Sequence, residues 1–148
     1  MSHNAVNIIG AGLAGSELAY QLAIRGVKVR LFEMRPQSFG PAHKTDGFAE
    51  LVCSNTFKST ALHSAPGIFK AELSNLGSLI FNSAPLAQVP AGEALAVDRV
   101  EFSRIVRDAL LSTNNIEVFH GRVDDLNALP NAHFTVMCTG PLTQGPLA

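Results

Sequence analysis

Ala5-Val6-Asn7-Ile8-Ile9-Gly10-Ala11-Gly12-Leu13-Ala14-Gly15 opens a stretch, running on to Glu33, that reads as strand, glycine turn, helix, strand and acidic residue. The apolar run Ala5–Ile9 predicts the first strand. Apolar positions Leu18, Ala19, Leu22 and Ala23 then keep helical spacing up to Ile24, and would face a sheet. Gly26 is a helix stop, and Val27–Phe32 predicts a second strand ending at Glu33. Within the GxGxxG turn each glycine has its own task. Gly10 permits the tight turn, Gly12 lets the backbone approach a pyrophosphate, and Gly15 lets helix and sheet pack closely. A helix beginning near Leu13 points unpaired N–H groups and a positive dipole end at that turn. Glu33, eighteen residues past Gly15, stands where an acid accepts hydrogen bonds from a ribose. This is the dinucleotide fingerprint in its required context. A turn needing glycine for packing alone accounts for Gly15, but not for Gly12 or Glu33. Glu33 disfavours a 2′-phosphorylated cofactor, an inference that nearby Arg35 weakens.

The rest of the composition bounds the problem. A chain of 148 residues, 47% hydrophobic and 16% charged, is at most one ordinary domain with a real core. A net charge of −1 carries no basic signature of nucleic-acid binding, and nothing points to DNA. Two cysteines, Cys53 and Cys138, make neither a disulfide framework nor a zinc site on their own. Met1-Ser2-His3-Asn4 lacks a basic leader region, and Glu17 interrupts the longest apolar run, so neither a signal peptide nor a membrane span is expected. A cytoplasmic setting is the expectation.

Met34 to Asp46, with Pro36, Gly40 and Pro41, reads as an irregular connection on the ligand side of the sheet, which brings Arg35, His43, Lys44 and Thr45 near a cofactor. For His43 a solvated loop residue is an equal alternative. Glu50-Leu51-Val52-Cys53-Ser54-Asn55 turns abruptly from apolar to polar; Cys53 is either a nucleophile or a small buried hydrophobe. Pro66–Asn82 predicts one helix with Phe69, Leu73, Leu76 and Ile80 as its core stripe. Leu86–Val89 and Ala94–Val97 flank a turn at Pro90–Glu93 and predict a hairpin. Asp98 and Glu101 resemble a capping box for a helix with Phe102, Ile105, Val106, Ala109 and Leu110 on one face, ending at Asn114-Asn115. Ile116–His120 and Phe134–Cys138 predict two more strands, the latter buried. Thr139-Gly140-Pro141 then brings a second small backbone to a carboxyl edge, where a nucleotide can be approached again.

Several blocks carry a family likeness. They are Ile9-Gly10-Ala11-Gly12-Leu13-Ala14-Gly15-Ser16-Glu17, Phe32-Glu33-Met34-Arg35-Pro36 and Phe48-Ala49-Glu50-Leu51-Val52-Cys53-Ser54-Asn55, followed by Val89-Pro90-Ala91-Gly92, Ala94-Leu95-Ala96-Val97-Asp98-Arg99 and Thr139-Gly140-Pro141-Leu142-Thr143. In this order they resemble the amino-terminal part of the folate- and FAD-dependent tRNA (uracil-5-)-methyltransferases. A related tRNA-uridine-modifying flavoprotein family usually has Gly-Gly-Gly-His-Ala-Gly in the first turn, so Gly-Ala-Gly-Leu-Ala-Gly favours the methyltransferases. The resemblance implies an enzyme passing a methylene group from 5,10-methylenetetrahydrofolate to C5 of a T-loop uridine in tRNA, with FAD as cofactor and NAD(P)H as reductant. It implies Cys53 as the catalytic cysteine, and a cofactor site of Gly10, Ala11, Gly12, Leu13, Ala14, Gly15, Glu33, Arg35, Arg99, Thr139 and Gly140.

The expected fold is therefore α/β: a Rossmann-like FAD-binding domain with a parallel central sheet, residues 1–148 forming its amino-terminal part, with an inserted segment at about 40–97. Against the family pattern the fold is incomplete on its C-terminal side, and the substrate domain and second implicated cysteine are absent. Lys44 stands where a second histidine is common, and Cys138 where alanine is usual. Two other readings remain: another FAD-binding oxidoreductase or uridine-modifying relative, and a non-catalytic nucleotide-binding fragment. The 148 residues alone are expected to be inactive.

Overall fold

The computed structural model describes residues 5–148. Its first three elements follow the opening stretch: β1 (Ala5–Ile9), α1 (Leu13–Ala23) and β2 (Lys28–Glu33). After a long irregular connection come β3 (Thr56–Ser59), α2 (Ala65–Asn75), α3 (Leu79–Ser83), β4 (Gln88–Val89) and β5 (Ala94–Val97). The chain closes with α4 (Arg99–Leu111), β6 (Ile116–His120) and β7 (Phe134–Met137).

Four strands build the central sheet in the order β6-β2-β1-β7, all parallel. Ile9 pairs with Phe32 on one side and with Met137 on the other, so the carboxyl ends of β1, β2 and β7 lie level. The winding direction changes between β1 and β7. In open α/β sheets the crevice outside the carboxyl ends at such a switch point is the ligand site. Val6, Ile8, Val29 and Leu31 share one core cluster with Ala19 of α1 and with Phe102, Val106 and Leu110 of α4. Helix α1 turns its small residues inward: Gly15, Ser16, Ala19 and Ala23 are its buried positions, while Leu18 and Leu22 flank them half-buried. On the opposite face Asn7, 1% exposed, donates through Nδ2 to the Pro130 carbonyl at 2.8 Å. Arg30 Nη1 donates to the Asn131 carbonyl at 3.1 Å, so polar residues of β1 and β2 pin the β6–β7 connection.

Residues 56–97 form a second, antiparallel sheet, β3-β5-β4, with α2 and α3, all inserted between β2 and α4. The β4–β5 hairpin is where the sequence puts it; β3, with a bulge and Lys58 at φ 68°, was not legible. The insertion is tied to α1 through Glu17. Its carboxylate accepts from Leu79 N (3.0 Å), Ile80 N (2.9 Å) and Ser78 Oγ (2.8 Å), closing the start of α3. The first N–H groups of a helix have no partner inside it, so a carboxylate there is doubly favourable, by hydrogen bonding and by the dipole.

Three expectations are corrected. Pro66–Asn82 is two helices, not one: Gly77 adopts φ +80° and breaks it, and Ser78 starts the next. Its apolar stripe is not a core stripe, since Phe69 is 56% and Leu76 73% exposed, although Ile80 is buried. What α2 buries is Gly67 and Lys70, whose ammonium is satisfied by the carbonyls of Phe57 (2.8 Å) and Pro66 (2.7 Å). The strand expected to be buried at Phe134–Cys138 is β7, at the sheet edge, with Phe134 61% exposed. In the capping box Asp98 performs its half, accepting from Val100 N (2.9 Å) and Glu101 N (3.0 Å). Glu101 does not reach back, because Arg104 binds it on the outer face of α4.

Candidate nucleotide-binding site

The turn between β1 and α1 is built by close approach. A methyl group at Gly15 would overlap the Gly10 carbonyl oxygen and reach within 3.2 Å of Cys138 Cβ. One at Gly10 would meet the Cys138 carbonyl oxygen at 2.5 Å. Gly10, Gly15 and the end of β7 therefore pack as one layer, and burial in that layer pushes the Cys138 thiol pKa up. Gly12 is different: a Cβ added there meets nothing within 4 Å. Packing does not require that glycine. It keeps open the space in front of the helix.

The start of α1 faces that space bare. Gly12 is the N-cap residue and supplies no side-chain acceptor, and the first turn holds no acid. The leading N–H groups of α1 have no side-chain partner, and the helix dipole there favours an anion. Leu13 is half-buried against the core and Ala14 is exposed at this first turn, so the approach is lined by backbone and a methyl group.

Ala11 is the hinge between this turn and the acid of β2. Its N–H donates to Glu33 Oε2 at 2.7 Å, and Glu33 Oε1 accepts from Arg35 N (3.0 Å) and Arg35 Nε (2.7 Å). Glu33 is 3% exposed. Burial works to raise its pKa, but the Arg35 hydrogen bonds and charge, helped by Ala11 N–H, hold it below the usual carboxylate range. Three of the four acceptor positions of the carboxylate are filled, leaving one on Oε2 for a donor such as a hydroxyl. Beyond the ends of β2 and β6 lies a hollow of about 450 Å³ lined by Phe32, Phe119, His120, Arg122 and Leu129. Phe32 and Phe119 stack on its floor at 5.1 Å.

The remaining expected residues are dispersed. Thr139 and Gly140 come one residue after β7, with Thr139 beside Gly10, and a Cβ added at Gly140 meets nothing within 4 Å. Arg35 is not presented to the crevice: it is 1% exposed, with Nη1 3.1 Å from Glu50 Oε2, so its guanidinium lies between two carboxylates. Arg99 is the exposed first residue of α4, one turn before Ser103, and Cys53 is exposed in the irregular segment ahead of β3. His43 holds the Gly40 N–H at 3.1 Å, and its pKa is lowered by burial and by the Arg35 charge. Sequence reasoning missed Glu50, Ala49 and Ser103. Glu50 Oε1 accepts from Lys44 N and Thr45 N, both at 3.0 Å; Ala49 N donates to Ala11 O at 2.8 Å; and Ser103 Oγ donates to Phe48 O at 2.6 Å. None has a spacing signal, because each depends on a partner brought in by the fold.

A parallel sheet with a switch point, and a helix N-terminus left bare behind a glycine turn, define a Rossmann-like α/β protein. Residues 5–146 match the family described as Glucose inhibited division protein A, and the chain belongs to that family. It is 50% identical over 97% of its length to the Methylenetetrahydrofolate--tRNA-(uracil-5-)-methyltransferase TrmFO of Acetivibrio thermocellus. The protein of the same name in Staphylococcus aureus is 52% identical over the same share. The chain spans 32% of the length of each of these relatives. Among solved structures, the Diels-Alderase PyrE3 shares the fold with a TM-score of 0.58 at 16% identity, covering 93% of this chain and 32% of that one. Among the described residues no helix is long and apolar enough to cross a membrane.

Proposed function

We propose that this chain is the FAD-binding amino-terminal portion of a cytoplasmic, folate-dependent tRNA (uracil-5-)-methyltransferase. The methyl group placed on C5 of a T-loop uridine would derive from 5,10-methylenetetrahydrofolate, with NAD(P)H as reductant. The observation that carries the reaction is the 50–52% identity to relatives bearing that name. The cofactor reading is supported by the bare start of α1 behind Gly12 and by the acceptor position still open on Glu33.

Each residue has a part in this reading. The first-turn N–H groups of α1 receive the pyrophosphate, and Gly12 admits it. Glu33 accepts a ribose hydroxyl, and Thr139-Gly140 lines the switch point from the β7 side. FAD, when bound, would supply the hydride and carbon-transfer chemistry. Cys53, exposed ahead of β3, is the nucleophile or protecting thiol for the pyrimidine. Arg99 lies at the flavin side on the first turn of α4. The folate, nicotinamide and tRNA contacts belong mostly to the two-thirds of the relatives outside this chain, and the 148 residues alone bind nucleotide without turnover.

The decisive assay is transfer of label from methylenetetrahydrofolate to tRNA lacking the modification, using the full-length protein. Labelled 5-methyluridine is expected at the T loop, from a preparation with flavin absorbance. A protein that oxidises NADH and leaves tRNA unlabelled would instead be a general flavin oxidoreductase. Cys53→Ala is expected to abolish methylation while retaining FAD.

A further inference from the structure

The segment leading to Cys53 is fastened to the nucleotide turn on every side. Ala11 uses both of its backbone polar groups: its N–H donates to Glu33, and its carbonyl accepts from Ala49 N at 2.8 Å and from Ser16 Oγ at 3.1 Å. Ala49 is fully buried at φ 50°, a region alanine occupies only when its surroundings fix it there. Its neighbour Phe48 is held from α4 by Ser103, and Leu51 is buried in the core. Between Ala49 and Leu51, Glu50 turns back to Arg35, which also pairs with Glu33 and donates through Nη1 to the Thr45 carbonyl at 3.4 Å. A closed circuit results: Ala11, Glu33, Arg35, Glu50, Ala49 and back to Ala11. Cys53 leaves this circuit three residues after Glu50 and is exposed.

We propose that Arg35 is a positioning residue: through Glu33 and Glu50 it locks the Cys53-bearing segment to the glycine turn, so that a nucleotide held at that turn sets how Cys53 is presented. The inference rests on the reading given under Proposed function and adds a coupling that this reading does not need. Its parts suit the task. Arg35 spans two carboxylates with a planar fork, which a lysine ammonium does not reproduce. Ala11, Glu33, Arg35 and Ala49 are buried, Glu50 is half-buried, and hydrogen bonds or the chain itself join each to the next, so a shift of Ala11 is passed on to the segment. Arg35 and Glu50 touch no reacting atom; they act through Cys53.

The test uses the full-length protein, with and without FAD, and reads the iodoacetamide alkylation rate of Cys53 by peptide mass spectrometry. In the wild type, loading FAD is expected to change that rate by about fivefold or more, the lower range of coupling between two sites. Glu50→Gln keeps the shape and the Oε1 acceptor for Lys44 and Thr45 N–H but discharges the arginine contact. With flavin still bound and its spectrum unchanged, the FAD effect on Cys53 is expected to fall to less than about twofold. Arg35→Lys is expected to show the same loss, which a purely structural role rescued by charge would not. A fivefold effect retained in both variants, or a wild-type rate indifferent to bound FAD, overturns the proposal while leaving the methyltransferase reading intact. A wild-type protein that binds no FAD overturns both.

Discussion

Two helix N-termini in this molecule, that of α1 and that of α3 packed beside it, are treated in opposite ways. Helix α3 begins under the Glu17 carboxylate, with Ser78 adding its own hydroxyl to Phe81 N. Helix α1, which carries Glu17, begins at Gly12 with no side-chain cap. Among the described α-helices it alone starts so, since Ser64 caps α2 and Asp98 caps α4. The same orphan N–H groups are thus closed where the helix serves architecture and left open where it faces the switch point. A single serine or aspartate at position 12 would fill the α1 end, and the chain has glycine there instead.

Mutations separate the two kinds of end. The largest effect is expected at Gly15→Ala, where the new methyl overlaps Gly10 backbone that cannot yield. Loss of about 3 kcal/mol or more in a denaturant titration, with nucleotide binding lost as well, is the expected outcome. Next is Glu33→Gln, which breaks one side of a buried pair and is expected to cost about 3 kcal/mol at neutral pH. The pH dependence has a definite sign. The folded-state pKa of Glu33 lies below its unfolded value, so its contribution is complete above the unfolded pKa and is lost as pH falls through the folded one. Stability measured against pH should therefore show a shallower acid limb in Glu33→Gln than in the wild type.

Glu17→Ala removes the acceptor of two backbone N–H groups and one hydroxyl, and is expected to cost about 2 kcal/mol in the same titration. Its FAD affinity should stay within about twofold, because the closed end of α3 is not the ligand's end. Equal damage to binding would erase the distinction between the two ends. Asp98→Ala is smallest, about 1 kcal/mol, as for an ordinary exposed cap.

How much of this was legible in the sequence follows from how local each cause is. The β1–α1–β2 unit was readable because turn, helix start and packing are all encoded within Gly10–Gly15. Asp98 was readable for the same reason: a cap acts within three residues. The stripe Phe69, Leu73, Leu76 was misleading, since apolar spacing gives a face and only the tertiary fold says whether anything covers it. The edge position of β7 depends on strand order, which no single segment contains. Arg35 shows the limit at the site itself. Its proximity to Glu33 was legible two residues away, while its burial is set by Glu50, fifteen residues on, through a loop without regular structure. Glu17 reads in the sequence as an interruption of an apolar run, and the donors it accepts from, sixty-odd residues later, leave no local signal.

If the bare start of α1 receives the FAD pyrophosphate, Gly12 is the position at which binding and folding separate. Gly12 has φ −69° and ψ −170°, extended backbone that any residue adopts, and an added Cβ meets no atom. Gly12→Val should therefore leave the thermal midpoint of the protein essentially where it was. Its FAD affinity, titrated by flavin fluorescence against the wild type, should fall by about 100-fold, because the side chain fills the space the phosphates need. A folded Gly12→Val protein that binds FAD as tightly as the wild type would mean that the pyrophosphate does not sit at the start of α1.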